Sequence, residues 1–257
     1  MRNSSVIKSI FYIFFFSFLF GQTVFGSSLS FRTQEFKPFS YTEKGQVAGP
    51  VAEIIREVCR QINYDCNIKS KSWARSQMEV KNGKANGMFV IGWNKARAKW
   101  VAFTPAILNT EYGFFVRQDN PLKFKSIQQV KGYKIGVYGP SNTSRSLEKI
   151  KAKLDNQITI DQRPDDVSGF KKLSKGRVDA VFSNRDVGNA IIQEHGLTNL
   201  KYAGRQRQLQ YYIGFNSQTV AADRVNSFID GYKKLYNQGK IKQIIRRYNL
   251  ELANLKK

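Results

Sequence analysis

Apolar positions along this chain follow two periods, one helical and one extended, and the two alternate from residue 31 to residue 250. Val51, Ile54, Ile55, Val58, Cys59 and Ile62 recur at helical spacing after Gly49-Pro50, a proline suited to a first helical turn. Trp73 to Lys81 forms a second amphipathic stretch that stops at Asn82-Gly83. Around these helices, residues 31–39 are expected to open as a strand and run into a loop, and strands are expected at 66–69 and 87–91. The rhythm then resumes, with strands at 134–138, 158–161 and 178–183. Helices are expected with Leu147, Ile150 and Leu154 on one face, over 165–175 and over 186–195. Two β-prone runs, 108–117 and 209–216, stand apart, and 221–250 reads as a helix pair broken at Gly239. These βαβ rhythms predict an α/β protein with a mainly parallel sheet under helical cover.

Two segments of this pattern are alike. Gly83-Lys84-Ala85-Asn86-Gly87-Met88-Phe89-Val90 and Gly176-Arg177-Val178-Asp179-Ala180-Val181-Phe182-Ser183 each give a glycine, a basic residue, a small apolar residue, an Asn or Asp and an apolar run. Each follows an amphipathic stretch, so each reads as a helix ended by glycine and fed into a buried strand. Two such elements predict two similar lobes, with the runs at 108–117 and 209–216 crossing between them. A ligand of such a protein is expected between the lobes, at the strand ends.

Composition changes the picture in three places. Arg2 and Lys8 precede an apolar run over 10–20, and Val24-Phe25-Gly26 follows. This describes a secretory signal peptide over residues 1–26, with an exported chain from Ser27. The run is short for a membrane span of about 20 residues, although an uncleaved anchor is the rival reading. Lys and Arg number 42 against 19 Asp and Glu, a formal charge of +23. The basic residues are spread along helices and loops, so export points to a solvated basic surface favouring anionic membranes or ligands, and not to nucleic acid. Cys59 and Cys66 are a reasonable disulfide in an oxidising compartment; two unpaired buried thiols are the alternative. With a single histidine, His195, reading as the last turn of a helix, no metal site and no cofactor are expected.

The stretch Arg97-Ala98-Lys99-Trp100-Val101-Ala102-Phe103-Thr104-Pro105 is similar to E-R-x-x-x-x-F-S-x-P-Y, a signature of the periplasmic solute-binding proteins of the polar amino-acid type. Pro38-Phe39 before Gly49, the Gly83 and Gly176 elements, and Gly239-Lys240-Ile241 with Tyr248 add to the resemblance, which covers nearly the whole exported chain. It implies a two-lobed periplasmic-binding-protein fold of type II, its lobes joined by two crossing strands. Lobe 1 takes residues 27–108 and returns over 211–257; lobe 2 takes 109–210. It also implies a monomer working with a membrane permease of an ABC importer.

The resemblance places Arg97 on a ligand carboxylate, where a guanidinium makes two parallel hydrogen bonds. Ser141, Asn142 and Thr143, in the turn Tyr138-Gly139-Pro140-Ser141-Asn142-Thr143, are expected to hold the other side through hydroxyls and free backbone N–H groups, or else simply to cap a helix. Phe39, Trp73, Trp93 and Tyr112 lie where the family lines its cleft, although large aromatics also serve as core. Asn184 stands where family members carry an Asp for the ligand ammonium, and Asp186 is two residues on. The family's Gly-x-Thr before the Arg is replaced by Gly92-Trp93-Asn94. These departures count against a standard α-amino-acid pocket; the expected ligand is a small carboxylate-bearing solute, an amino acid or related, anionic or zwitterionic, captured by hinge closure. The chain has no G-x-S-x-G, H-E-x-x-H, Walker or G-x-G-x-x-G motif, so a binder is expected before an enzyme. The alternatives are a sensing protein acting with a membrane receptor, and a cyclohexadienyl-dehydratase-like enzyme using Glu35, Glu43 or Asp186.

Overall fold

A computed structural model describes residues 27–255; the leader expected over 1–26 lies outside the described residues. The first part of the chain runs β1 (Ser28–Thr33), β2 (Tyr41–Glu43), β3 (Gln46–Ala48), α1 (Pro50–Gln61), β4 (Asp65–Ser70), α2 (Trp73–Lys81), β5 (Gly87–Gly92), α3 (Lys95–Ala98) and β6 (Val101–Phe103). It enters β7 (Leu108–Arg117) and continues through β8 (Lys134–Tyr138), α4 (Asn142–Lys153), β9 (Thr159–Arg163), α5 (Asp166–Ser174), β10 (Ala180–Asn184) and α6 (Arg185–Glu194). It returns along β11 (Leu200–Asn216) and ends with α7 (Ala222–Asn237), α8 (Lys240–Arg247) and β12 (Glu251–Leu252).

The main sheet has the order β4-β1-β5-β11-β7-β10-β8-β9. Its two ends match. β1 pairs parallel with β4 and β5, and β8 pairs parallel with β9 and β10. β11 lies antiparallel to β5 and β7 lies antiparallel to β10. This is the two-lobed α/β fold of type II, each lobe a βαβ pair closed by a strand that arrives from the other lobe.

The repeated segments occupy equivalent places. Gly83 and Gly176 take φ of +72° and +68°, the left-handed conformation that ends a helix. Lys84 N–H bonds the Glu79 carbonyl and Gly83 N–H that of Val80; Arg177 and Gly176 repeat this on Lys172 and Leu173. The next polar residue ties each element to the central parallel strand of its lobe. Asn86 Oδ1 accepts from Ser30 N–H at 2.8 Å, and Asp179 Oδ2 accepts from Lys134 N–H at 2.8 Å.

β7 and β11 form a continuous antiparallel ribbon from Leu108↔Tyr211 to Arg117↔Leu200. β5 joins β11 only from Tyr211 onward, and β10 joins β7 only from Tyr112 onward. Residues 109–111 and 208–210 therefore have no main-sheet partner but each other, apart from β12 on Asn109. α7 and α8 cover α1 over a core in which Phe31, Phe215 and Phe228 stack edge-on or tilted at 5.1–5.7 Å. Cys59 and Cys66 are bonded, tying the end of α1 to β4. Among the described residues no helix is long and apolar enough to cross a membrane.

Several boundaries differ from the expected ones. β1 starts at Ser28, three residues before the expected Phe31, and leads into the expected loop, which turns at Phe36–Ser40. β2, β3, β6 and the short helix α3 are too brief to show a period. β11 begins nine residues before the expected start at Leu209, because Lys201, Arg205 and Arg207 lie on the solvated face of the ribbon and mask its alternation.

Candidate functional site

Asn94 caps α3 by accepting the Arg97 N–H at 2.9 Å, and that turn aims the Arg97 side chain inward. The guanidinium is 5% exposed and lies 5.2 Å over the Trp73 ring. Nη1 donates to the Gly92 carbonyl at 2.8 Å and Nη2 to Gln77 Oε1 at 2.9 Å. The Gly92 carbonyl is delivered by a β-bulge. β11 passes from Tyr212↔Ile91 to Ile213↔Phe89, leaving Val90 at φ +58°. A β-branched residue in that region is strained, and strain of this kind marks sites where backbone direction matters. Among the described residues no carboxylate lies within salt-bridge distance of Arg97. Burial, with the Arg145 charge adding, lowers its pKa to about 10, so it stays a cation at neutral pH.

Arg97 faces a narrow space of about 30 Å³ between the lobes, lined also by Gln34, Phe36, Trp73, Tyr112, Tyr138, Thr143 and Tyr211. It opens into a larger chamber on each side. The hinge-side chamber, about 500 Å³, shares Gly92, Tyr112 and Asn142 with it. The mouth-side chamber, about 630 Å³, shares Gln34, Phe36, Trp73 and Tyr138. Among the described residues, three direct side-chain contacts span the cleft away from the β7–β11 ribbon. Tyr138 Oη donates to Gln34 Oε1 at 3.1 Å, Asn94 Nδ2 donates to Asn142 Oδ1 at 3.2 Å, and Lys37 Nζ pairs with Glu194 Oε1 at 2.8 Å.

Asp166, the first residue of α5, lines the mouth-side chamber. Its carboxylate accepts from Ser183 Oγ at 2.9 Å, and among the described residues no cation is within salt-bridge distance. Burial pushes its pKa up to about 6, with the neighbouring Asp165 adding and the Ser183 hydrogen bond opposing. Its charge also helps burial hold the Tyr138 hydroxyl near 12. The cleft thus presents a buried cation and a half-buried anion, each without a countercharge.

The sequence singled out Arg97, Trp73, Tyr112, Ser141, Asn142 and Thr143, and all of them come together around the narrow space. Ser141 is there as a cap. Its hydroxyl accepts Thr143 and Ser144 N–H at 3.1 Å and donates to the Tyr138 carbonyl, so these N–H groups are not the free donors that were expected. Trp93 lines the hinge-side chamber at 56% exposure. Phe39 and Asn184 require correction. Phe39 is fully buried, 5.1 Å from Tyr211 and 5.6 Å from Phe36, because the turn at 36–40 folds it into the core behind the cleft. Asn184 is consumed by structure. Its Oδ1 caps α6 on Asp186 and Val187 N–H, and its Nδ2 donates to Thr110 Oγ1 and Tyr211 Oη. Asp186 receives the Thr110 hydroxyl and meets Arg185, away from the cleft space. Glu35 lines the mouth-side chamber but is held by Thr42 and Ser70, and Glu43 is exposed in β2. No cluster of His, Cys, Asp and Glu fit to hold a metal occurs among the described residues.

The profile of the bacterial extracellular solute-binding proteins, family 3, matches residues 31–251. The chain belongs to this family. A relative, the probable amino-acid-binding protein YxeM of Bacillus subtilis (strain 168), is 25% identical over 216 residues, 82% of this chain and 79% of that protein. A structure from work on glutathione import via GshT and the cystine ABC importer TcyBC of Streptococcus mutans superposes with a TM-score of 0.79 at 22% identity. It covers 89% of this chain and 98% of its own. A histidine kinase sensor domain with similarity to periplasmic binding proteins gives 0.78 at 20%, covering 88% and 97%. Against this family 3 frame, Asp166, Gln34, Phe36, Tyr138 and Tyr211 are the cleft residues that the sequence pattern did not single out. Asp166 follows Asp165 at a helix start and reads as ordinary capping; two adjacent acids in so basic a chain are the only signal.

Proposed function

We propose that the protein binds an amino acid in the cleft between its lobes, in the periplasm, and presents it to the membrane permease of an ABC importer. The observation that carries this reading is the pair of uncompensated charges, Arg97 on lobe 1 and Asp166 on lobe 2. A buried ion without a partner costs several kcal/mol, a cost that a zwitterion offsets at both ends. The α-carboxylate goes to Arg97, and the ammonium goes to Asp166, in place of the Asn184 position. Trp73, Phe36 and Tyr138 cover the carbon skeleton. YxeM's description as an amino-acid-binding protein agrees with this.

In this reading lobe 1 comprises residues 27–108 and 211–257 and lobe 2 residues 109–210, with a monomer as the working unit. The ribbon segments 109–111 and 208–210, held by only one main-sheet neighbour each, are the hinge. Closure is driven by contacts that exist only in the closed form: the ligand's two ends and the Gln34–Tyr138, Asn94–Asn142 and Lys37–Glu194 contacts. No catalytic step is assigned to the site.

Thermal unfolding of the purified protein against the common L-amino acids tests this. A ligand at about a hundred times its dissociation constant adds about 2.7 kcal/mol. The expected result is stabilisation by one chemical class, lost in Arg97→Ala and reduced at least about ten-fold in affinity in Asp166→Asn. An Arg97→Ala protein that binds as the wild type does would overturn the assignment. The similarity to a histidine kinase sensor domain favours a second reading, ligand reporting to a membrane receptor. Uptake of the labelled ligand by cells lacking the protein separates them: uptake falls for an importer and is unchanged for a sensor.

A further inference from the structure

The hinge-side chamber is unexplained by a small zwitterion on Arg97 and Asp166. At about 500 Å³ it lies within the size range of ligand pockets, about 300–1,000 Å³. It adjoins the Arg97 space through Gly92, Tyr112 and Asn142, on the side away from Asp166. A solute with its carboxylate on Arg97 and its ammonium towards Asp166 therefore has one direction left for its side chain, into this chamber.

The chamber's chemistry is cationic and aromatic. Arg207 lies 5.1 Å over the Tyr112 ring and donates through Nη2 to Ser146 Oγ at 2.9 Å, so its plane is fixed at the chamber wall. Arg145 bonds Asn142 Oδ1 and is close enough to Arg97 to depress its pKa. Among the described residues neither Arg145 nor Arg207 has a carboxylate within salt-bridge distance. Arg207 lines the chamber, Arg97 lines the adjoining narrow space, and Arg145 is held on Asn142, which lines both. Glu251, the single acidic lining residue, sits at the lobe 1 edge and is occupied by Asn109 Nδ2 at 2.8 Å. Among the described residues Trp93 and Met78 are the exposed large apolar side chains, and Trp93 stands in this chamber. A half-exposed indole and a ring-stacked guanidinium lining one chamber suit an aliphatic arm that ends in an anion.

We infer that the hinge-side chamber is a second anion subsite, selecting α-amino acids whose side chain ends in a carboxylate. Arg207 and Arg145 receive that carboxylate, and Trp93 covers the methylenes before it. This rests on the amino-acid reading above and adds a charge requirement to it.

The test is calorimetric titration of the purified protein with L-glutamine, L-glutamate and L-2-aminoadipate, at 0.15 M salt so that long-range attraction is damped. The first two differ only in terminal charge, and the third lengthens the arm. The expected result is that an acidic ligand binds at least about ten-fold tighter than glutamine, as a charge-assisted hydrogen bond predicts. In Arg145→Gln/Arg207→Gln the ratio falls to about two-fold or less. Tryptophan emission of the wild type shifts to the blue on binding the acid, and Trp93→Phe removes most of that shift. Both arginines are exposed, so folding is not at risk, and matching far-UV circular dichroism checks it. Glutamine binding as tightly as both acids, or an acid preference that survives in the double variant, overturns the subsite and leaves the amino-acid reading standing. No heat from any of the three at millimolar concentration overturns the subsite, and the amino-acid reading is then decided by thermal unfolding against the remaining L-amino acids.

Discussion

At Asp166 the demands of folding and of binding pull apart. Its carboxyl sits near 6 in the fold against 3.8 ordinarily, so between those values the folded state holds a proton that the unfolded state has released. Stability therefore falls as pH rises through this window, and the loss is complete above about pH 6. Asp166→Asn removes the effect. The melting temperature of the variant relative to wild type is expected to climb from pH 4 to pH 6 and stay level above pH 7. A gap independent of pH would mean that burial does not set this carboxyl. Under the proposed function, ligand affinity is expected to run the other way, weakening below about pH 6 as the Asp166 anion is neutralised. Arg97 was legible from its place in the Arg97–Pro105 stretch, and Trp73, Tyr112 and Thr143 from their positions around it. Asp166 was not, because an acid in a first helical turn has an ordinary explanation in the helix dipole. Gln34 and Tyr138 were not either, since they meet across 104 positions of sequence and no local pattern reports such a pair.

Among the elements, the paired glycine turns carry the two-lobe organisation, and they were the part of the fold most plainly written in the sequence. Gly176 at φ +68° has only Arg117 near the position of a Cβ, at 3.5 Å. Gly176→Ala therefore tests conformation alone and is expected to cost about 1–2 kcal/mol in denaturant unfolding. Gly45, at φ +76° with open space around it, is a control for the same strain outside a helix end. β7 and β8 were legible to the residue because both are buried runs with clear punctuation. The N-terminal half of β11 was not. A strand whose only neighbour there is one ribbon partner keeps one face in water, and its arginines and glutamines look like loop. The hairpin β2–β3 was missed for a different reason, since strands of three residues are shorter than any period can register.

For the whole molecule, the proposed closure predicts that contacts already formed between the lobes bias ligand affinity. Tyr138→Phe with Gln34→Leu removes one of them while preserving volume. The ligand-free protein is then expected to show a larger radius of gyration by small-angle X-ray scattering than wild type, and an affinity weaker by about three- to ten-fold. An unchanged radius with unchanged affinity would mean that this contact does not bias the cleft. The three cross-cleft contacts also have a cost for the cell. An exposed ion pair such as Lys37–Glu194 contributes under about 1 kcal/mol, and the two neutral hydrogen bonds contribute about 1 kcal/mol each. That is too little to lock the lobes and enough to keep some unloaded copies shut. If, as proposed, an importer recognises only the shut shape, these copies engage it too, and such a system is expected to idle, turning over fuel when there is nothing to carry.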